Sequence, residues 1–429
     1  MAETPQMKSP RRAAVASWIG SALEYYDFAV YGTAAAIVLN HIFFPEDAPA
    51  AAVLKSMAVI GVAYVVRPLG AMLVGPLGDR FGRKFVMMLT LFLMGGATFA
   101  IGCLPTFDSA GLLAPGLLVL CRMLQGLSAA GEQASAISMS LEHAQDHQRG
   151  FITSWTLQGT QFGSLLATAI FIPFAALPEE QLYSWGWRVP FWLSAFVVVA
   201  AWLIRRRLHE PPSFTKRDAA SRTPLRAVLA GHKVMVARIA VCAMVNTVNM
   251  VFTTFALSYA THAGIERTTM LWVPVASNLL GLLAIPLFAV LSDRVGRKPV
   301  FITGALASSL TMLPYLHAVH EQQIVWVFVW GVIMHGGFYS MANGIWPAFY
   351  AEMFPAPVRV TGLALGTQIG FAASGGLAPA AATYFAGPEL ESWLGPSLFT
   401  VAMCLLVVGA AVTARETART PLSAIDERP

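Results

Sequence analysis

Charge is what this chain has least of. Only 12% of its 429 residues are Asp, Glu, Lys or Arg, against 56% hydrophobic, and the mean hydropathy is +0.61. Soluble domains carry about 25% charged residues, and a water-soluble protein of this length could not cover its surface with so few. Cysteine is scarce as well. Cys103, Cys121, Cys242 and Cys404 are the whole complement, with no CxxC spacing, so neither a disulfide framework nor a thiolate metal site is expected. Each lies in an apolar stretch and reads as a small apolar residue. Walker, GxSxG and HExxH patterns are missing, so the sequence predicts no enzyme, no cofactor and no metal. Met1 to Arg12 is polar and basic, and the apolar run behind it is too long and lacks a small-residue cleavage site. A cleavable signal peptide is therefore not expected, and the first helix would serve as its own insertion signal.

What is present is a series of apolar runs, each of about 20 residues, enough to cross about 30 Å of hydrocarbon as a helix. Twelve such spans are expected: 13–40, 52–78, 85–105, 112–141, 151–177 and 187–204, then 233–259, 270–291, 300–320, 324–351, 361–386 and 392–414. This predicts an all-α integral membrane protein of two six-helix pseudo-repeats. Residues 1–204 form the first bundle and 233–414 the second. The basic, proline-bearing segment 205–232 is the central loop, and 415–429 a polar tail.

Lys and Arg set the orientation. With the N-terminus inside, 23 of the 28 fall on inner segments, whereas only Lys55, Arg188 and Arg267 fall outside. That asymmetry follows the positive-inside rule and places both ends, loop and tail in the cytoplasm. It also accounts for the net charge of +5 without nucleic acid, since no basic patch with stacking aromatics stands on a soluble module.

The repeat is visible residue by residue. Gly78-Asp79-Arg80-Phe81-Gly82-Arg83-Lys84 returns as Ser292-Asp293-Arg294-Val295-Gly296-Arg297-Lys298, and Glu142, Arg149 and Gln158 return 210 residues later as Glu352, Arg359 and Gln368. Parallel six-span repeats with substrate held between them are a plan of secondary transporters. The doubled loop and Arg122-x-x-Gln125-Gly126 resemble the Major Facilitator Superfamily. Glu24-Tyr25-Tyr26-Asp27-Phe28, Arg67-Pro68-Leu69-Gly70, Ser184-Trp185-Gly186-Trp187-Arg188-Val189-Pro190-Phe191 and Leu208-His209-Glu210-Pro211-Pro212 resemble its metabolite–proton symporter family. The resemblance implies proton-coupled uptake of small metabolites such as shikimate, oxo-acids, citrate or zwitterionic osmolytes, and a proton-coupling role for Arg122. Ala129-Ala130-Gly131-Glu132-Gln133-Ala134 departs from the glycine-rich run usual in the family, so the resemblance carries the class and not one member's substrate.

The matched acids and bases suggest a gate. Asp79, Arg80, Arg83, Glu142 and Arg149, with Asp293, Arg294, Arg297, Glu352 and Arg359, are expected to form ion pairs that latch the cytoplasmic face. At a wet surface each pair would be worth about 0–1 kcal/mol. The bases alone could equally serve to anchor topology.

Glu24, Asp27, Arg67, Arg122 and Glu132 lie inside spans, where a charge costs about 2.5–3.5 kcal/mol and calls for a partner, water or a function. Helical rise puts Glu24 and Arg67 about 18 Å, and Glu132 about 15 Å, from the inner face, with Arg122 nearer the outside. Arg67, a permanent planar fork, suits a carboxylate. Glu24, Asp27, Arg122 and Glu132 are the proton-coupling candidates; the alternatives are a structural pair of Arg67 with one acid and, for Arg122, packing against backbone carbonyls. Tyr31 shares a helix face with Glu24 and Asp27. Tyr31, Gln158, Gln161, His335, Tyr339, Asn343 and Gln368 complete the substrate-binding candidates, with Asn246, Asn249 and Asn278 as further polar groups. The function expected is a monomeric proton symporter in the cell membrane importing a small molecule, a carboxylate by preference. A proton-driven exporter is the alternative.

Overall fold

A computed structural model describes residues 10–45, 49–81, 83–129, 132–142, 144–205 and 224–427; side chains at 10–17, 49–50, 71–81, 83–87, 132, 200–201, 204–205 and 224–227 lie outside the description. Helices carry nearly all of it, because in hydrocarbon a helix satisfies every backbone N–H and C=O within one segment.

The long helices, in chain order, are α1 (Pro10–Ile37), α2 (Pro49–Phe81), α3 (Arg83–Gly102), α4 (Leu113–Ser128 and Glu132–Glu142), α5 (Arg149–Ala175) and α6 (188–205). They continue with α7 (Lys233–His262), α8 (Arg267–Val295), α9 (Arg297–His320), α10 (Ile324–Ala351), α11 (359–386) and α12 (Leu394–Thr413). The spacing of the apolar runs anticipates them to within a few residues. Seven described segments are long and apolar enough to cross a membrane by that criterion alone. Large apolar residues such as Phe196, Leu283, Leu287 and Val325 are exposed on the outside of the bundle, as a lipid-facing surface requires.

Within the halves α1 lies along α5 and α7 along α11, and the halves meet where α5 packs on α8 and α2 on α11. Small residues permit this. A Cβ on Gly159 or Gly163 would strike the α1 backbone at Trp18 or Ala22, and one on Gly370 would strike α7 at Ala240. A Cβ on Gly61 would lie 2.6 Å from the carbonyl oxygen of Gly376, at the α2–α11 crossing. These are the close approaches that small residues allow in membranes.

Three helices of the second half each carry a π-helical stretch mid-span: Val251–Phe255 in α7, Val332–Tyr339 in α10 and Ala372–Leu377 in α11. Such widened turns shift side chains around the axis and are frequent at functional sites.

Candidate functional site

A small space lies between the halves. From the first half Tyr25, Thr160, Gln161 and Ser164 line it; from the second, Asn246, Asn249, Tyr339, Asn343 and Trp346 do so. The wall mixes these polar groups with Leu157, Ala243, Val245 and Phe371, and none of its lining residues carries a formal charge. Of the substrate-binding candidates, the structure brings Gln161, Tyr339 and Asn343 to this cavity.

The other candidates stand elsewhere. Arg67 is 2% exposed and stacked between the rings of Phe28 and Tyr64, 4.3 and 4.5 Å from their centroids. It is behind the wall, within electrostatic reach of Tyr25. Tyr31 is buried beneath the Arg122 guanidinium, 3.9 Å from its ring centroid. Gln158 crosses between halves and donates to the Leu282 carbonyl at 2.7 Å. Gln368 is buried, and its Oε1 finds no partner among the described residues. His335 is fully buried, with Nε2 3.0 Å from Asn249 Oδ1.

A second small space lies within the first half and is lined by Glu24, Asp27, Thr90, Met94 and Ser128. Asp27 faces Thr98. The Thr98 hydroxyl accepts from Gln125 Nε2 at 2.7 Å, and Arg122 donates to Gln125 Oε1 at 2.8 Å. The Thr98 hydroxyl gives its own proton to the Met94 carbonyl at 3.0 Å, so the hydrogen-bonded chain runs from Arg122 through Gln125 to Thr98 and ends beside Asp27. Arg122 also stands 5.5 Å from the centroid of Phe28, the ring that Arg67 covers. The two arginines are therefore neighbours through one ring, and Arg122 also donates to the Ile60 carbonyl at 3.3 Å, on the side of Arg67 away from the repeated loop. The Glu132 side chain lies outside the described residues.

The end of the bundle bearing the repeated loops, here the basic end, holds a buried ion cluster. Arg149 Nε lies 3.0 Å from Glu352 Oε1, and Arg297 Nη2 3.1 Å from the same oxygen, all three side chains fully buried. Arg297 Nη1 also pairs with Asp293 at 2.6 Å. Asp293 accepts from the backbone N–H groups of Gly150 and Phe151 at 2.9 and 3.1 Å, capping the start of α5 in the other half. Arg359 reaches Glu142 across the halves at 3.1 Å. Arg294 is exposed. Asp79, Arg80 and Arg83 have side chains outside the described residues. Burial overturns the expectation of wet surface pairs for Arg149, Arg297, Glu352 and Asp293: these charges have left water, so losing one partner strands another.

The tail straps this cluster. Arg149 Nη2 donates to the carbonyls of Thr417, Ala418 and Thr420 at 3.1, 3.4 and 3.0 Å. Thr417 donates to Glu352, and Asp426 pairs with Arg359. Glu416 accepts from the N–H groups of Arg297 and Lys298, both at 2.9 Å, at the start of α9. Half-burial works against its ionisation, but backbone donors from Arg297, Ala418, Lys298 and Thr417 hold the carboxyl below its ordinary value.

At the opposite end Arg267, opening α8, donates to the carbonyls of Ala175 and Leu177 at 2.9 and 3.3 Å and lies 3.7 Å from Glu179. Sequence reasoning missed this tie, as it missed Glu416 and Asp426. Among the described residues no cluster of three His, Cys, Asp or Glu could hold a metal ion.

An all-helical bundle with apolar flanks, a neutral polar cavity between two repeats and ion ties that close it at one end is a membrane carrier, not an enzyme. Residues 13–219 match the sugar (and other) transporter family and residues 239–428 the Major Facilitator Superfamily. The shikimate transporter of Escherichia coli (strain K12) is 34% identical over 97% of this chain and 97% of its own. The proline/betaine transporter of the same strain is 28% identical over 96% and 85%. In fold, the chain resembles a proton:xylose symporter bound to 6-bromo-6-deoxy-D-glucose, with TM-score 0.76 at 18% identity over 97% of this chain and 98% of that one. The chain belongs to the Major Facilitator Superfamily, among its metabolite transporters.

Proposed function

We propose that this carrier is a proton-coupled symporter that imports a small organic acid by alternating access. The observation that carries the reading is the separation of two spaces: a neutral polar cavity between the halves and a pocket inside the first half that holds Glu24 and Asp27. Substrate would occupy the first. A proton would be taken up in the second, on Glu24 or Asp27, with Glu132 the remaining candidate, and Arg122 reaches Thr98, beside Asp27, through Gln125. Arg67, behind Tyr25, supplies positive potential to a wall that has no cation of its own. Tyr31, Gln158, His335 and Gln368 support that wall from behind.

Residues 1–204 and 233–414 are the moving bundles, joined by 205–232, with 415–429 a strap on the gate. The basic end faces the cytoplasm, by the distribution of Lys and Arg. Asp79, Arg80, Arg83, Glu142, Arg149, Asp293, Arg294, Arg297, Glu352 and Arg359 form the gate there, which opens when the cavity faces inward. Relatives named for shikimate and for a proton–sugar symport support this assignment.

The test is uptake by proteoliposomes under an imposed inward proton gradient, with shikimate, a 2-oxo acid, citrate and glycine betaine offered in turn. Saturable accumulation of an acid, abolished by a protonophore, is expected. Accumulation only against the opposite gradient would make the chain an exporter, and betaine uptake alone would remove the organic-acid assignment.

A further inference from the structure

The asparagines of the central cavity have their carbonyl oxygens already occupied. Trp346 Nε1 donates to Asn343 Oδ1 at 3.2 Å. An indole can only donate, so that oxygen must face it and the Asn343 amide nitrogen is left over. His335 Nε2 donates to Asn249 Oδ1 at 3.0 Å, and Asn249 Nδ2 donates to Asn246 Oδ1 at 3.2 Å. Tyr339 donates to the same Asn246 oxygen at 3.4 Å.

The direction of this chain is set at its buried end. His335 is held flat between Phe252 and Tyr339, with centroids 4.5 and 5.0 Å away, and its Nδ1 meets no partner among the described residues. Stranded buried N–H groups are rarer than unsatisfied acceptors. The proton therefore sits on Nε2 and points at Asn249. Both hydrogens of the Asn246 amide and one of the Asn249 amide remain free of these bonds, and Asn246, Asn249 and Asn343 all line the cavity. On the facing wall Gln161, only 4% exposed, has an Nε2 without a partner among the described residues.

We infer that Asn246, Asn249, Asn343 and Gln161 present neutral N–H groups from the cavity wall to the carboxylate of the substrate, while His335, set back from the cavity, fixes the direction of Asn249 and Asn246, and Trp346 that of Asn343. This rests on the organic-acid reading and adds which group of the acid meets which residues. A carboxylate only accepts; a carboxamide or an ammonium would turn N–H against N–H. Neutral donors also hold an anion without a salt bridge that must be broken for release.

The test measures equilibrium binding of shikimate and of its carboxamide to the purified full-length protein, so that no proton gradient is needed. Wild type should prefer the acid by at least about tenfold, since a site built of hydrogen-bonding groups rejects an analogue that leaves them unpaired. His335→Phe keeps a stacked ring but removes the donor, freeing Asn249 to turn; the preference should collapse, and His335→Gln, which retains an N–H, should restore it. Asn343→Asp should lose at least about tenfold in shikimate affinity at neutral pH, then regain it as acid protonates the new carboxyl into a donor, whereas Asn343→Leu should lose affinity at every pH. An unchanged Asn343→Asp, or a His335→Phe variant that still prefers the acid, overturns the inference alone. A wild-type protein that binds none of shikimate, a 2-oxo acid or citrate overturns the organic-acid reading and the inference with it.

Discussion

At the residue scale the ion cluster separates groups that look equivalent in sequence. Glu352 and Glu142 occupy repeat-matched positions, yet Glu352 is fully buried between Arg149 and Arg297, and Glu142 is 38% exposed against Arg359. Removing one partner of a buried pair costs about 3–5 kcal/mol because the other charge is stranded; a partly wet pair is worth about 0–1 kcal/mol. Glu352→Gln should therefore lower the unfolding temperature of the purified protein far more than Glu142→Gln, as read by tryptophan fluorescence in detergent. Glu416 gives the tail a pH dependence of known sign. Its carboxyl is held below the ordinary value, so its contribution is complete above the ordinary carboxylate range and is lost as pH falls through the lowered value. Protection factors for amide exchange across residues 414–427, corrected for the intrinsic rate at each pH, should hold steady down to about pH 4.5 and fall only in stronger acid, while Glu416→Gln should show lower protection at neutral pH.

At the element scale α5 is tied to α8 at both ends. Asp293 caps its first N–H groups, and Arg267 takes carbonyls at and just beyond its last turn. An anion at a helix start and a cation at its end each match the macrodipole, worth about 0.3–1 kcal/mol apiece and up to about 2 when partly buried. Half of this device was legible. Asp293 belongs to a doubled loop, and repetition itself marked it. Arg267 sat among the three outer bases, and no local pattern says that a base opening one helix will meet the end of another 92 residues earlier. The same limit explains the cavity. Long apolar runs announce helices reliably, and polar residues within them announce candidates. Which of these reach the cavity depends on π-helical stretches in α7, α10 and α11 that turn the register mid-span, and on close glycine crossings. So Asn343 lines the cavity while Gln368, chosen for its repeat partner, does not.

At the scale of the whole molecule the structure is closed at the basic end by buried charges and drawn together at the other by Arg267. Alternating access then requires that the two ties be nearly balanced: a carrier whose basic end is too firmly held cannot release, and one whose opposite end is too firm cannot load. States separated by a few kcal/mol interconvert usefully, and about 1.4 kcal/mol changes their ratio tenfold. Asp293→Asn weakens the basic-end tie and should shift the population toward opening there. Arg267→Gln should shift it the other way. Each single variant should transport slowly, because it accumulates on one side of the cycle. Alkylation of a Ser154→Cys reporter, at a buried position on α5 near the basic end, should speed up in the first variant and slow down in the second. The double variant Asp293→Asn/Arg267→Gln should return the alkylation rate toward wild type and recover part of the uptake lost in each single. Two lesions that merely damaged the fold would instead compound, and a double variant slower than either single would show that the ties do not act on one shared equilibrium.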